Sequence, residues 1–177
     1  MAELNINREQ PTDNSDIRDL LVAAFESEAE GDLVEKIRAS DDYIQDLSLV
    51  AMQQGVVVGH IMISRVGLVD GGTRREVHSL APVAVAPQFQ RQGIGGRLVR
   101  AATEAADGRG LALVLLEGNP AYYSRFGFEY AAPHGIHFDL PDWAPPEAGQ
   151  VIRLTNYDAS LRGRVVYPPA FDVGGDS

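Results

Sequence analysis

The chain has 177 residues, 45% of them hydrophobic, and no cysteine. That fits one packed domain and excludes disulfides, thiolate metal sites and a cysteine nucleophile. Acids outnumber bases 25 to 15, a formal charge of -10, which argues against general nucleic-acid binding because that needs a basic footprint.

The N-terminus, MAELNINREQ, lacks the apolar stretch of a signal peptide. No apolar run approaches the roughly 20 residues of a membrane span, so a soluble cytoplasmic protein with no membrane partner is expected. None of His60, His78, His134 and His137 stands in a HExxH arrangement, and no metal site is expected.

Residues 11–30 read as a helix and its entry. Asp13 or Ser15 can cap it, and Ile17, Leu20, Leu21, Ala24 and Phe25 recur at helical spacing. A second short helix is expected over Leu33 to Ser40. Leu47 to Ala51 and Val56 to Ile63 read as adjacent strands turning at Gln53-Gln54-Gly55. Asp70-Gly71-Gly72 marks the next turn, and Glu76 to Val85 is a third strand interrupted by Pro82. A helix follows over about Ile94 to Ala106, with Ile94, Leu98, Ala101, Ala102 and Ala105 as its buried stripe and Gly108 to Gly110 as its stop. Leu111 to Leu116 is apolar throughout, as a buried parallel strand should be. Tyr122 to Phe126 reads as a short helix. Phe128 to Ala131, Ile136 to Leu140 and Val151 to Leu154 read as further strands. The order predicts a mixed α/β fold in one domain, 1–177. Its core spans about residues 1–140, and a proline-rich segment, about 141–177, covers that core irregularly.

The chemistry concentrates in Pro82 to Gly96, PVAVAPQFQRQGIGG. A strand ends, a loop crosses and a helix begins. Glycines at 93, 95 and 96 let backbone approach a ligand closely. A helix N-terminus offers unpaired N–H groups and the positive end of a dipole. With Arg91 and Arg97 beside it, this reads as a phosphate cradle rather than a mere turn. No GxxxxGK[ST] occurs. A dinucleotide reading would use Gly93, Gly95 and Glu117, but Leu98 stands where its third small residue belongs; it ranks second.

Gln90-Arg91-Gln92-Gly93-Ile94-Gly95 matches Q/R-x-x-G-x-G/A, and here the chain resembles the GNAT superfamily of acetyl-CoA-dependent N-acetyltransferases. Val83-Ala84-Val85 and Pro87 fit the family's strand before that loop. Tyr123-Ser124-Arg125-Phe126-Gly127-Phe128 is similar to its Y-x-x-x-G-F signature, and GNPAYYSRFGF looks like that of small stand-alone bacterial members. The likeness is strongest over about residues 47–131. It implies a mostly antiparallel central sheet with a splayed parallel strand pair, flanked by helices, and a fold that often pairs as a homodimer. It also implies direct acetyl transfer from acetyl-CoA, as co-substrate, to a small-molecule or protein amine.

In that reading the N–H groups around Gln92, Gly93, Ile94, Gly95 and Gly96 hold pyrophosphate, with Gln90 and Arg91 in the motif. Val83, Ala84 and Val85 carry the strand backbone, of which Val83 and Val85 meet the pantetheine arm. A bulge at Pro82 opens the cleft. Asn119 is the candidate for the Asn with which many members contact the pantetheine arm, but it departs from their spacing, standing only four positions before Tyr123 with Pro120 between them. Tyr123 is the general acid toward the thiolate, with Tyr122 a core aromatic. Glu117, Glu76 and His78 are the candidate bases, Glu117 foremost, with acids also able to attract a cationic substrate. Gly31 to Asp46 and the proline-rich segment are expected to wall the acceptor pocket. A non-catalytic acyl-CoA sensor is the remaining alternative.

Overall fold

A computed structural model describes residues 2–173. Strand β1 (Leu4–Arg8) opens the chain, and a 3-10 turn (Pro11–Asp13) leads into α1 (Asn14–Phe25). The single helix expected over 11–30 ends early because Glu26 takes a left-handed conformation, φ 54. Ala29 N–H then donates to Ser27 Oγ and α2 runs over Ala29–Arg38. Asp13 makes no side-chain cap; its carboxylate instead accepts from Gln10 N–H at 2.8 Å.

The sheet is built by β2 (Ser48–Gln53), β3 (Val56–Asp70), β4 (Thr73–Val85), β5 (Leu113–Glu117), β6 (Glu129–Tyr130), β7 (Ile136–His137), β8 (Gly149–Arg153) and β9 (Gly163–Val166), with β1 on its edge. The main order is β1-β2-β3-β4-β5-β8-β6, while β9 pairs with the far part of β3 and with β7. The pairings are antiparallel except β4 with β5 and β7 with β9. After residue 140 the strand expected over Val151 to Leu154 is present as β8, and β9 adds a strand where irregular cover was expected. Gly149–Arg153 lies between β5 and β6, and Gly163–Val166 lies against β3. β1 and β9 carry no long apolar alternation of their own and take their strand form from β2 and β3.

The Pro82 question resolves to a bulge. Ile61 faces Val83 and Ile63 faces Leu80, so two residues, Ala81 and Pro82, oppose the single Met62. Proline lacks the ladder N–H, and the extra residue bends β4. β4 then meets β5 at one register pair only, Ser79 with Leu115. Beyond it the two parallel strands diverge.

Helix α3 (Ile94–Gly108) covers one face of the sheet. The expected stripe holds at Ile94, Leu98 and Ala102, which are buried with Leu49, Ile61 and Leu116. Val99, Thr103 and Ala106 are buried too, so the buried face is broader than predicted. Burying a side chain such as Leu98 contributes about 1.5–3 kcal/mol. Helices α1 and α2 cover the opposite face, placing Ile17, Leu21 and Ile37 on Val50, Met62 and Ala84. Helix α4 (Pro120–Tyr123) and a 3-10 turn (Ser124–Phe126) follow β5. No helix among the described residues is long and apolar enough to cross a membrane.

A polar network lies under α2. Glu9, Ser48 and His60 are all buried. Ser48 Oγ donates to Glu9, His60 Nε2 lies 3.2 Å from both Glu9 Oε1 and Ser48 Oγ, and Arg38 Nε donates to Glu9 Oε2 at 2.7 Å. His60 Nδ1 has no partner among the described residues, which suits a neutral ring with its proton on Nε2. Burial holds His60 below its ordinary value. Burial alone would push the Glu9 carboxyl up, but hydrogen bonds from His60 and Arg38 outweigh it and leave it lowered. Burial, with Arg65 and Arg109 nearby, pushes His78 down to about 4. All three shifts give the unfolded chain more bound protons in acid. Their contributions are complete above about pH 6.5, the free histidine value. The histidine part fades as pH falls from there, and the Glu9 part is lost on passing its native value. The urea midpoint should therefore drop between pH 7.5 and 5; a flat midpoint across that range would contradict these assignments.

Candidate active site

Where β4 leaves β5, the head of α3 and the turn after α4 enclose an open cavity of about 640 Å3. Val83 and Val85 line one side, Gly93, Gly95 and Gly96 the end, and Tyr122, Tyr123 and Phe126 the other side. Ala86 N–H donates to Val58 O on β3. By strand alternation Ala84 also faces β3, while the backbone groups of Val83 and Val85 face the cavity. Gln90 Nε2 donates to the Val85 carbonyl at 3.1 Å, from that side.

The loop entering α3 is shaped by backbone that turns left-handed. Arg91 has φ 62, and Gly93, the residue before the helix, has φ 84. Only a residue without Cβ takes the second conformation without strain. Helical bonding starts after the first turn, so the N–H groups of Ile94, Gly95 and Gly96 have no helical acceptor. A Cβ on Gly95 would lie 2.8 Å from Tyr122 Oη. The space over these N–H groups is open because glycine stands there. Charge agrees: Arg91, Arg100 and Arg125 all line the cavity, in a chain of net charge -10.

Several predicted residues gather here: Val83, Val85, Gln90, Arg91, Gly93, Ile94, Gly95, Gly96 and Tyr123. Others do not. Ala84 is buried against α1 and α2, and Gln92 is exposed beside the cavity without lining it. Arg97 turns away toward the Leu4 carbonyl. The charge expected from Arg97 comes instead from Arg100 and Arg125. Arg100 was legible, since it stands one helical turn beyond Gly96. Asn119 is spent locally: its side chain accepts from Ala121 N–H at 3.0 Å and caps α4. Pro120 at the first helical position explains why. Glu76 and His78 sit on β4 before the splay, near Arg65, and neither lines the cavity. Glu117, at the end of β5, accepts a hydrogen bond from Tyr167 Oη and opens onto a neighbouring cavity with Asn119. A dinucleotide crevice would need Glu117 beside Gly93 and Gly95, and that arrangement is absent.

Tyr122 is not the core aromatic it was expected to be. Its ring lines the cavity, edge-on to Tyr123 at 4.9 Å and to Phe126 at 5.2 Å, with the Arg125 guanidinium 4.9 Å from its centre. Tyr123 packs edge-on to Phe128 as well, at 5.9 Å. Burial, with Tyr122 alongside, pushes the Tyr123 phenol up to about 12. It therefore keeps its proton at neutral pH and is able to donate it.

The family profile described as an acetyltransferase (GNAT) domain matches residues 5–131. The chain is 38% identical over 159 residues to the uncharacterized N-acetyltransferase YhbS of Escherichia coli (strain K12), spanning 89% of this chain and 90% of that protein. Its structure is similar to the crystal structure of Escherichia coli YhbS in complex with CoA, with a TM-score of 0.87 and 34% identity over 99% of this chain and 95% of that one. A GNAT family acetyltransferase from Brucella melitensis in complex with acetyl-CoA gives a TM-score of 0.78 and 32% identity, over 96% and 99% of the two chains. The profile covers well over half of the chain, and the splayed strands and glycine-headed helix fall within it; the chain belongs to the GNAT acetyltransferases.

Proposed function

We propose that this acetyltransferase binds acetyl-CoA in the cavity at the head of α3 and transfers its acetyl group to a primary amine that approaches from the side of Gly118. The observation that carries the reading is the row of free N–H groups at Ile94, Gly95 and Gly96, opening onto a cavity that also holds Arg91, Arg100 and Arg125. Such N–H groups, aided by the helix dipole, suit a pyrophosphate. The N–H groups of Gln92 and Gly93 extend the row. Val83 and the Val85 N–H supply a free strand edge for the pantetheine amides, while Gln90 already holds the Val85 carbonyl. A cytoplasmic setting belongs to the same proposal.

The chemistry then needs two proton carriers. The acceptor arrives as an ammonium, and the exposed Glu117 carboxylate takes one proton from it. The amine nitrogen attacks the thioester carbonyl, forming the C–N bond. The C–S bond breaks, Tyr123 gives its proton to the departing thiolate, and the phenolate takes the second amine proton. Glu117 releases its proton to solvent. The products are an N-acetyl amine, CoA thiol and one proton.

Gly95→Val tests the site. Its branched side chain enters the space at Tyr122 Oη and covers the N–H groups. Calorimetry should show acetyl-CoA affinity falling at least about tenfold, with the urea midpoint of the variant reporting that the fold survives. Equal affinity in the folded variant and the wild type removes this reading.

A further inference from the structure

A second cavity, of about 410 Å3, lies on the other side of the Gly118–Tyr123 segment. That size is ordinary for a small-molecule site. Its floor is Glu117, Gly118 and Pro120, and its wall is the loop carrying Leu140, Pro141 and Trp143. The loop is held in place. Ala144 N–H donates to Pro141 O at 2.9 Å, Ala148 N–H to Pro145 O at 3.0 Å, and Gly118 N–H to Ala148 O at 3.0 Å. On this braced loop Trp143 is 86% exposed, an unusual place for the largest aromatic side chain. The segment Gly31 to Asp46, expected to share the wall, contributes no residue to this cavity.

The two cavities are neighbours across Gly118 and Tyr123. A Cβ on Gly118 would lie 2.6 Å from Tyr123 Cε2, so the Tyr123 ring that lines the first cavity packs directly against Gly118, a floor residue of the second. Among the described residues, Glu117 is the only ionisable side chain lining the second cavity. The facing side chains of Leu140, Pro141, Trp143, Ala144 and Pro145 are apolar apart from the indole N–H.

Building on the proposed acetyl transfer, we infer that the acceptor is a small monoamine with an aromatic body, its ammonium on Glu117 and its ring against Trp143 and the prolines. One carboxylate matches one positive charge. A polyamine, an amino sugar or a lysine within a peptide brings further polar groups, and these would be desolvated against Pro141, Trp143 and Pro145 without partners, which is costly. An aromatic ring gains instead, by apolar burial and by ring contact with the indole.

Trp143 is the chain's single tryptophan, so its fluorescence reports this cavity alone. Phenethylamine, which has no indole, is titrated into the full-length protein with and without saturating CoA. The emission should shift to the blue and saturate. Glu117→Gln should weaken that binding about tenfold while acetyl-CoA affinity, measured by calorimetry, stays at the wild-type value. In a CoA-release assay phenethylamine should exceed ethanolamine and spermidine in kcat/KM by about tenfold. Trp143→Ala should raise its KM by a similar factor and leave kcat in place. A linear or absent fluorescence response, or a preference for ethanolamine or spermidine, overturns the inference while intact acetyl-CoA binding keeps the proposed transfer standing. Loss of acetyl-CoA binding in the wild type would instead remove the transfer itself.

Discussion

Tyr123→Phe lowers kcat by about 10²- to 10⁴-fold, the range for removing a positioned acid, and leaves acetyl-CoA affinity unchanged. The ring stays, so its edge-on contacts with Tyr122 at 4.9 Å and Phe128 at 5.9 Å stay with it. Only the phenol proton is lost, and the thiolate must then leave unprotonated or take its proton from water. Steady-state CoA release, beside calorimetry with acetyl-CoA, separates the two effects. Tyr122→Phe is the informative companion, because Tyr122 lines the same cavity but its hydroxyl points toward Gly95. If Tyr122→Phe stops turnover and Tyr123→Phe does not, the two tyrosines exchange roles. Since burial pushes the Tyr123 phenol up to about 12, the acid remains protonated through pH 10. An alkaline fall in kcat well below that point therefore belongs to another group.

Glu9→Ala destabilises the fold by about 3–5 kcal/mol, the cost of breaking a buried charged pair from one side. Against a total of about 5–15 kcal/mol, that leaves little. The variant strands the Arg38 guanidinium, which is 17% exposed, and removes the acceptor shared by Ser48 and His60. The effect spreads because these groups tie the end of β1 to β2, β3 and α2. Equilibrium urea unfolding should show a much lower midpoint with an unchanged slope. A midpoint near the wild-type value would mean that water solvates the network as well as Glu9 does.

The two experiments bear on parts of the molecule that differ in how openly the sequence announces them. The head of α3 was legible because its signal is local. Gly93, Gly95 and Gly96 follow a loop and precede a helical stripe, and backbone conformation at such a point is decided by the residues themselves. Pro82 was half legible. A proline in a strand announces an irregularity, but only the register of Ile61 with Val83 and Ile63 with Leu80 distinguishes a bulge from an edge. Glu9 announced nothing, since a lone acid after a short polar strand looks like surface. Its burial depends on α2 and β3 arriving from 29 and 51 residues away.

What the amino-acid order determined alone is the α/β class, the main helices and central strands, the glycine-headed helix and the tyrosine signature. Each rests on interactions within a few residues of chain. The tertiary structure decided that Asn119 caps a helix, that Arg100 and Arg125 supply the charge expected of Arg97, and that Glu117 faces a different cavity from Gly93. It also drew residues 163–166, which carry no strand reading of their own, into the sheet. These outcomes depend on which side chains converge once β4 and β5 diverge. Convergence of distant segments is set by packing of the whole sheet, which no short window of sequence contains.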